Sequence, residues 1–218
     1  MRIPGRQISL AAMAALGAAI TMLFGAGLLS GELLQQYDAR VGFEREAGEL
    51  ADVLGVAPGM TVGDVRAGAG QWTVYFAQQV GTAGQVFATP GPNPAHELLR
   101  TVANARVDNV SVIASEPARD QPMLPSNCCD AVILRAVFHH LVAAHAGIGQ
   151  ELFDSVKPGG RVAIIEYDEG TVPFRTGHGI AHATVLRTLQ SAGFEPVHDI
   201  RQWPGHAYCV VVRRPATS

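Results

Sequence analysis

Two short stretches carry residues able to do chemistry. "TVGDVRAGAGQW", residues 61–72, runs from β-branched Thr61 and Val62 to an acid, Asp64, and on to two closely spaced glycines, Gly68 and Gly70. That order predicts a strand ending in a tight loop, where glycine lets the backbone approach a nucleotide-like ligand. Arg66 stands where such a loop brings its backbone nearest the ligand, and its long side chain competes for that space. The second stretch holds adjacent His139 and His140 just after an apolar run. A histidine there can take a proton near neutral pH. In the bland alternative one ring packs inward and the other bonds a loop carbonyl. Three cysteines, Cys128, Cys129 and Cys209, complete the reactive set. Their spacing with the histidines matches no zinc site, so no metal is expected. They are read as small buried thiols, unpaired within the chain.

These residues need elements to position them. In residues 44–54, Ala47, Leu50, Ala51 and Leu54 fall at i, i+3, i+4 and i+7, one apolar helical stripe. "APGM" breaks that helix, and Thr61–Val65 reads as a buried strand. Trp72, Tyr75, Phe76 and Val80 mark a helix after the glycine loop, with Trp72 and Phe76 as core residues. A strand over Gln85–Thr89 follows, then a helix from about Ala95 to Ala105. "NVSVIA" and "DAVILRAV" are the third and fourth strands. Leu141, Ala144, Ile148 and Leu152 mark one helix that stops at "KPGG", and "RVAIIEY" is the fifth strand. Glu166, Tyr167 and Asp168 at its end, near where substrates enter, read as solvated loop residues, with selection of substrate as the alternative. His178 and His182 read as part of a loop able to close the pocket. A helix carrying Val185, Leu189 and Ala192 leads to a closing hairpin, about 195–202 and 206–213.

Alternating strands and helices imply parallel pairing through right-handed crossovers. The fold class is therefore α/β, a doubly wound and mostly parallel sheet ending in an antiparallel hairpin. Ligands bind outside the carboxyl ends of such strands. This places residues 64–70, 89–93, 114–116 and 135–140 around one cleft.

The first 31 residues are a different material. Arg2 and Arg6 precede an uncharged run of 22 residues, Ile8 to Leu29. At about 1.5 Å per residue it is long enough to cross a bilayer as one helix. Residues 1–31 are thus a membrane anchor, or an export signal cleaved near Gly25–Ala26–Gly27, and residues 32–218 the second domain. The nearer arginines favour an N-terminus inside and a domain outside the cytosol; cleavage would leave it secreted or periplasmic. Net charge is −3, only 16% of residues are charged, and no Lys/Arg cluster suggests nucleic acid.

From about residue 44 to 213 the chain resembles the class I S-adenosylmethionine-dependent methyltransferases. "GDVRAGAG" after the first strand, "DAVILRAVFHHL" at the fourth, "LFDSVKPGGRVAIIEY" and "TVLRTLQSAGFEPV" carry the resemblance by their order and spacing. A dinucleotide dehydrogenase requires a third loop glycine where Thr73 stands, so it fits less well.

The resemblance implies S-adenosylmethionine as cofactor and a small-molecule methyl acceptor. It implies that Asp64 helps hold the methionine part, that Gly68 and Gly70 let the backbone approach it, and that Ala67 belongs to the same cofactor-binding loop. Arg66 replaces the first glycine of the family loop, and Thr89 replaces the acid that grips the ribose hydroxyls. Ser115 and Glu116 fall beside the adenine, and Arg135 closes the fourth strand on the same cleft. His139 or His140 is the implied base. The alternative is a non-catalytic relative with weakened cofactor binding, serving as a binding or structural module.

Overall fold

The apolar runs pair into one seven-stranded sheet. Its strands are β1 (Thr61–Asp64), β2 (Gln85–Ala88), β3 (Val110–Val112), β4 (Cys129–Arg135), β5 (Val156–Glu166), β6 (Glu195–Trp203) and β7 (Ala207–Arg213). The computed structural model describes residues 42–91, 95–113, 124–171 and 178–216. Residues 42–54 form helix α1. The other helices are α2 (Gln71–Val80), α3 (His96–Ala105), α4 (Phe138–Ala144), α5 (Ile148–Ser155) and α6 (His182–Ser191). Two compact units divide the chain, residues 1–46 and 47–218, and of the first only residues 42–46 are described. The anchor expected over residues 8–29 lies outside the described residues. Among those described, no helix is long and apolar enough to cross a membrane.

Strand order is β3-β2-β1-β4-β5-β7-β6. The pairs from β3 to β5 are parallel, and β7 runs antiparallel to both β5 and β6. Alternate residues of the central strands feed two cores. Val132, Leu134, Val162 and Ile164 pack with α4, α5 and α6, while Ala131, Ile133, Ala163 and Ile165 pack with α1 and α2. Ala47, Leu50, Ala51 and Leu54 are buried, as their spacing predicts. Sheet order reverses between β1 and β4, so the cleft opens beyond their carboxyl ends.

Three local expectations need correction. The single helix expected through Leu141 and Leu152 is two helices, because His145 is extended (φ −151°, ψ 110°) and its ring bonds Glu151 at 2.6 Å. "KPGG" is not a stop before β5 but part of it. A register shift against β4 between Cys129 and Ala131 accommodates it, with Gly159 at φ 82°.

The cysteines are the third correction: Cys128 and Cys129 are joined to each other by a disulfide. Reading both as buried, unpaired thiols overlooked that adjacent cysteines are already close, their Cα atoms being 3.7 Å apart. Cys209, on β7 beyond β5, is a buried thiol outside that bond. Thiol titration of the denatured chain is expected to find one thiol before reduction and three after. Three without reductant would show the bond does not form.

Candidate active site

The loop after β1 is held by its own backbone. Ala67 N–H donates to the Thr89 carbonyl at 2.9 Å, and Thr89 N–H donates to that of Asp64 at 2.9 Å. Arg66 adopts φ 56°. A side chain in this left-handed region costs about 1–2 kcal/mol, which is the physical reason for glycine there. Its N–H donates to Thr89 Oγ1 at 2.9 Å, and Thr89 is fully buried. The two departures from the family loop are therefore one device: the hydroxyl at 89 braces the strained residue at 66.

The two glycines differ in what they do. A Cβ at Gly68 (φ 56°) would meet nothing within 4 Å, so its backbone faces open space. A Cβ at Gly70 (φ 86°) would stand 2.7 Å from Leu98 Cδ1. Gly70 is thus needed for the packing of α3 against the loop.

Asp64 ends β1 almost wholly buried. Thr73, one turn into α2, donates to Oδ2 through its hydroxyl at 2.6 Å and also bonds the carboxylate through its backbone N–H. Burial pushes the Asp64 carboxyl from 3.8 up to about 6, with the Thr73 bonds pulling partly back. Thr73, where a dehydrogenase would have its third glycine, instead holds this acid in place.

Two cavities of about 280 and 250 Å³ open beside the loop. Asp64, Trp72 and Arg135 line the first, and Pro90, Ala136 and His140 the second. Arg66, Gly68, Ala69 and Val137 line both, so the two cavities adjoin at this loop. Trp72 is a cavity wall and only half-buried, not simply a core residue; the Arg135 guanidinium lies 5.6 Å from its ring centre. Ser115 and Glu116 lie outside the described residues.

The histidine pair is set by the turn after β4. Ala136 takes φ 53° and donates its N–H to the Ile165 carbonyl at 2.8 Å, which starts α4 with Phe138 in the core. His139 then turns inward. Its backbone N–H and ring Nδ1 both bond the Glu166 carboxylate, the ring at 2.9 and 3.0 Å. Glu166 is fully buried, which corrects its reading as a solvated loop residue. An acid closing an apolar strand beside the reversal point was the signal for this role. His140 is exposed, with its ring centre 4.0 Å from that of His139. Loss of surrounding water, together with the charges of His139, Arg66 and His178, holds the His140 ring below the ordinary histidine range. This favours the neutral form of the ring. His182 is not on a pocket loop: it begins α6 and bonds Asp199 at 2.7 Å.

This fold, with its cleft at the β1–β4 reversal, is shared with proteins that transfer methyl groups. The family model described as "Methyltransferase domain" matches residues 63–164. A ubiquinone/menaquinone biosynthesis C-methyltransferase from Cupriavidus taiwanensis is 28% identical over 137 residues, 62% of this chain and 54% of that protein. The chain thus spans about half the length of the curated relatives it matches. Among solved structures, a SAM-dependent methyltransferase from Aquifex aeolicus superposes with TM-score 0.67 at 24% identity, covering 77% of this chain and 88% of that one. A Burkholderia thailandensis 1,6-didemethyltoxoflavin-N1-methyltransferase, solved with its substrate and S-adenosylhomocysteine, gives 0.60 at 17% identity, covering 98% and 93%. Residues 63–164 thus form a methyltransferase domain, on a fold shared with class I S-adenosylmethionine-dependent methyltransferases. The cofactor of that family is S-adenosylmethionine.

The residues present fit that cofactor unevenly. Asp64 offers a buried carboxylate to an ammonium, and Gly68 leaves open space over the loop. Arg66 lines both cavities, and the one hydroxyl at 89 already accepts a hydrogen bond.

Proposed function

We propose that the domain is a methyltransferase that acts on a small molecule and binds its cofactor weakly. The observation that carries this reading is a buried Asp64 facing the same cleft as open Gly68 and His140. S-adenosylmethionine, when bound, supplies an electrophilic methyl group. Asp64 would hold the methionine ammonium, with the open Gly68 backbone beside it. Arg135 and Trp72 wall the other side. His140 accepts the proton that an oxygen, nitrogen or activated carbon acceptor must lose. Positioning supplies most of the remaining rate, as in any in-line displacement. Titration of the full chain with S-adenosylmethionine and S-adenosylhomocysteine tests this: saturable one-to-one binding is expected. No binding of either at millimolar concentration would favour the second reading, a non-catalytic module, for which Arg66 and Thr89 are the specific observations.

Residues 8–29 are proposed to tether the domain to a membrane, with the domain on the non-cytoplasmic side. Their lack of charge and their length support this. The full chain is expected in the membrane fraction and a chain without residues 1–31 in the soluble fraction, with one cooperative melt. Soluble full-length protein of unchanged mass would contradict both anchor and cleaved signal.

A further inference from the structure

Among the described residues, one group of side chains comes together that no sequence spacing announces. Ligand nitrogens of His139, His140 and His178 lie within 4.8 Å of one another. We propose that these three imidazoles form a binding site for a borderline divalent metal ion, zinc in the first place.

The strongest observation is His139. Its side chain is only 9% exposed, and its Nε2 is buried with no hydrogen-bond partner. A buried polar atom without a partner costs about 1–3 kcal/mol, so it calls for an explanation. The other ring nitrogen supplies one. Glu166 accepts hydrogen bonds at both carboxylate oxygens from Nδ1, so Nδ1 carries the proton and Nε2 carries the lone pair. A carboxylate behind an imidazole, fixing its tautomer and raising its basicity, is the arrangement that supports metal-bound histidines. Glu166 is itself fully buried behind the His139 ring.

The other rings sit accordingly. Ring centres of His139 and His178 are 5.5 Å apart, as are those of His140 and His178, and both pairs meet nearly edge to face. Zn–N bonds of about 2.0–2.1 Å put tetrahedral ligand nitrogens about 3.4 Å apart, so closing on an ion takes little more than an ångström. Exposed His140 and half-buried His178 have room to move. Gly179 holds His178 near β5: a Cβ there would stand 2.7 Å from the Tyr167 carbonyl oxygen, so only glycine allows the approach.

Three imidazoles with no thiolate suit zinc, copper, nickel or iron and disfavour magnesium or calcium. A fourth position would open towards the cavity that His140 lines. With a metal in place the His140 lone pair would be given to the ion, so His140 would no longer be available to take a proton. This proposal does not rest on the methyl-transfer reading.

The test is calorimetric titration of the metal-stripped full chain with zinc, and separately with magnesium, without S-adenosylmethionine. One zinc per chain and no magnesium binding are expected. His140→Ala and His178→Ala should each lower zinc affinity at least tenfold, and Glu166→Gln by about ten- to a hundredfold through the His139 ring. His96→Ala, on the exposed side of α3, should leave it unchanged. Melting curves without metal check that each variant folds; His178, on a loop, is the one whose loss the fold should notice least. Zinc binding that survives both histidine changes, or equals that of magnesium, would overturn the proposal.

Discussion

Arg66→Gly combined with Thr89→Asp is expected to tighten S-adenosylmethionine binding by about ten- to a thousandfold. A carboxylate gripping ribose hydroxyls makes charge-assisted bonds of about 1.5–3 kcal/mol each, where the present hydroxyl is committed to the Arg66 N–H. Removing the side chain at 66 clears a residue that lines both cavities and relieves its left-handed backbone. The single changes separate the effects. Arg66→Gly alone should gain affinity and hold or raise the melting temperature. Thr89→Asp alone should lower that temperature, because it buries a charge at a site now fully enclosed. Calorimetric titration of all four proteins reads the outcome. Tight binding by the unaltered chain, unimproved by the double change, would show that the loop works with its arginine in place.

Asp64→Asn should act in opposite directions on stability and on cofactor binding. Burial raises the Asp64 carboxyl from 3.8 to about 6, so the folded domain holds that proton more tightly than the unfolded chain does. The resulting cost is absent below about pH 4, grows between pH 4 and 6, and reaches about 3 kcal/mol above pH 6. An amide carries no charge and can still accept from Thr73. The variant should therefore melt higher than the unaltered chain at pH 8 and about equally at pH 4. It should also lose S-adenosylmethionine affinity by at least tenfold, since the ammonium loses its counter-charge. In the unaltered chain the same ammonium favours the ionised acid, so cofactor affinity should fall as pH drops through 6. A lower melting temperature for the variant at pH 8 would mean that the Thr73 bonds outweigh the burial of charge.

Fold and cleft were legible because their signals are local. Apolar runs such as "VAIIEY" and "DAVILR" are buried on both faces, as strands under two helical layers must be, and they alternate with helical stripes. That alternation by itself determined a doubly wound sheet, its terminal hairpin and the ends of β1 and β4 as the site. The glycine loop was legible too, down to the residue that strains it. What stayed hidden depends on residues far apart in the chain. Glu166 reaches His139 across 27 positions, Arg66 is braced by Thr89 across 23, and His178 comes back over β5 through Gly179. The break before α5, the inclusion of "KPGG" in β5 and the Cys128–Cys129 bond are local, but no periodicity encodes them. Strands and helices follow from spacing because each residue's burial repeats with the backbone's own period. Which side chains meet at the mouth of the sheet is decided by loop closure and by burial of charge, and those only the tertiary structure expresses.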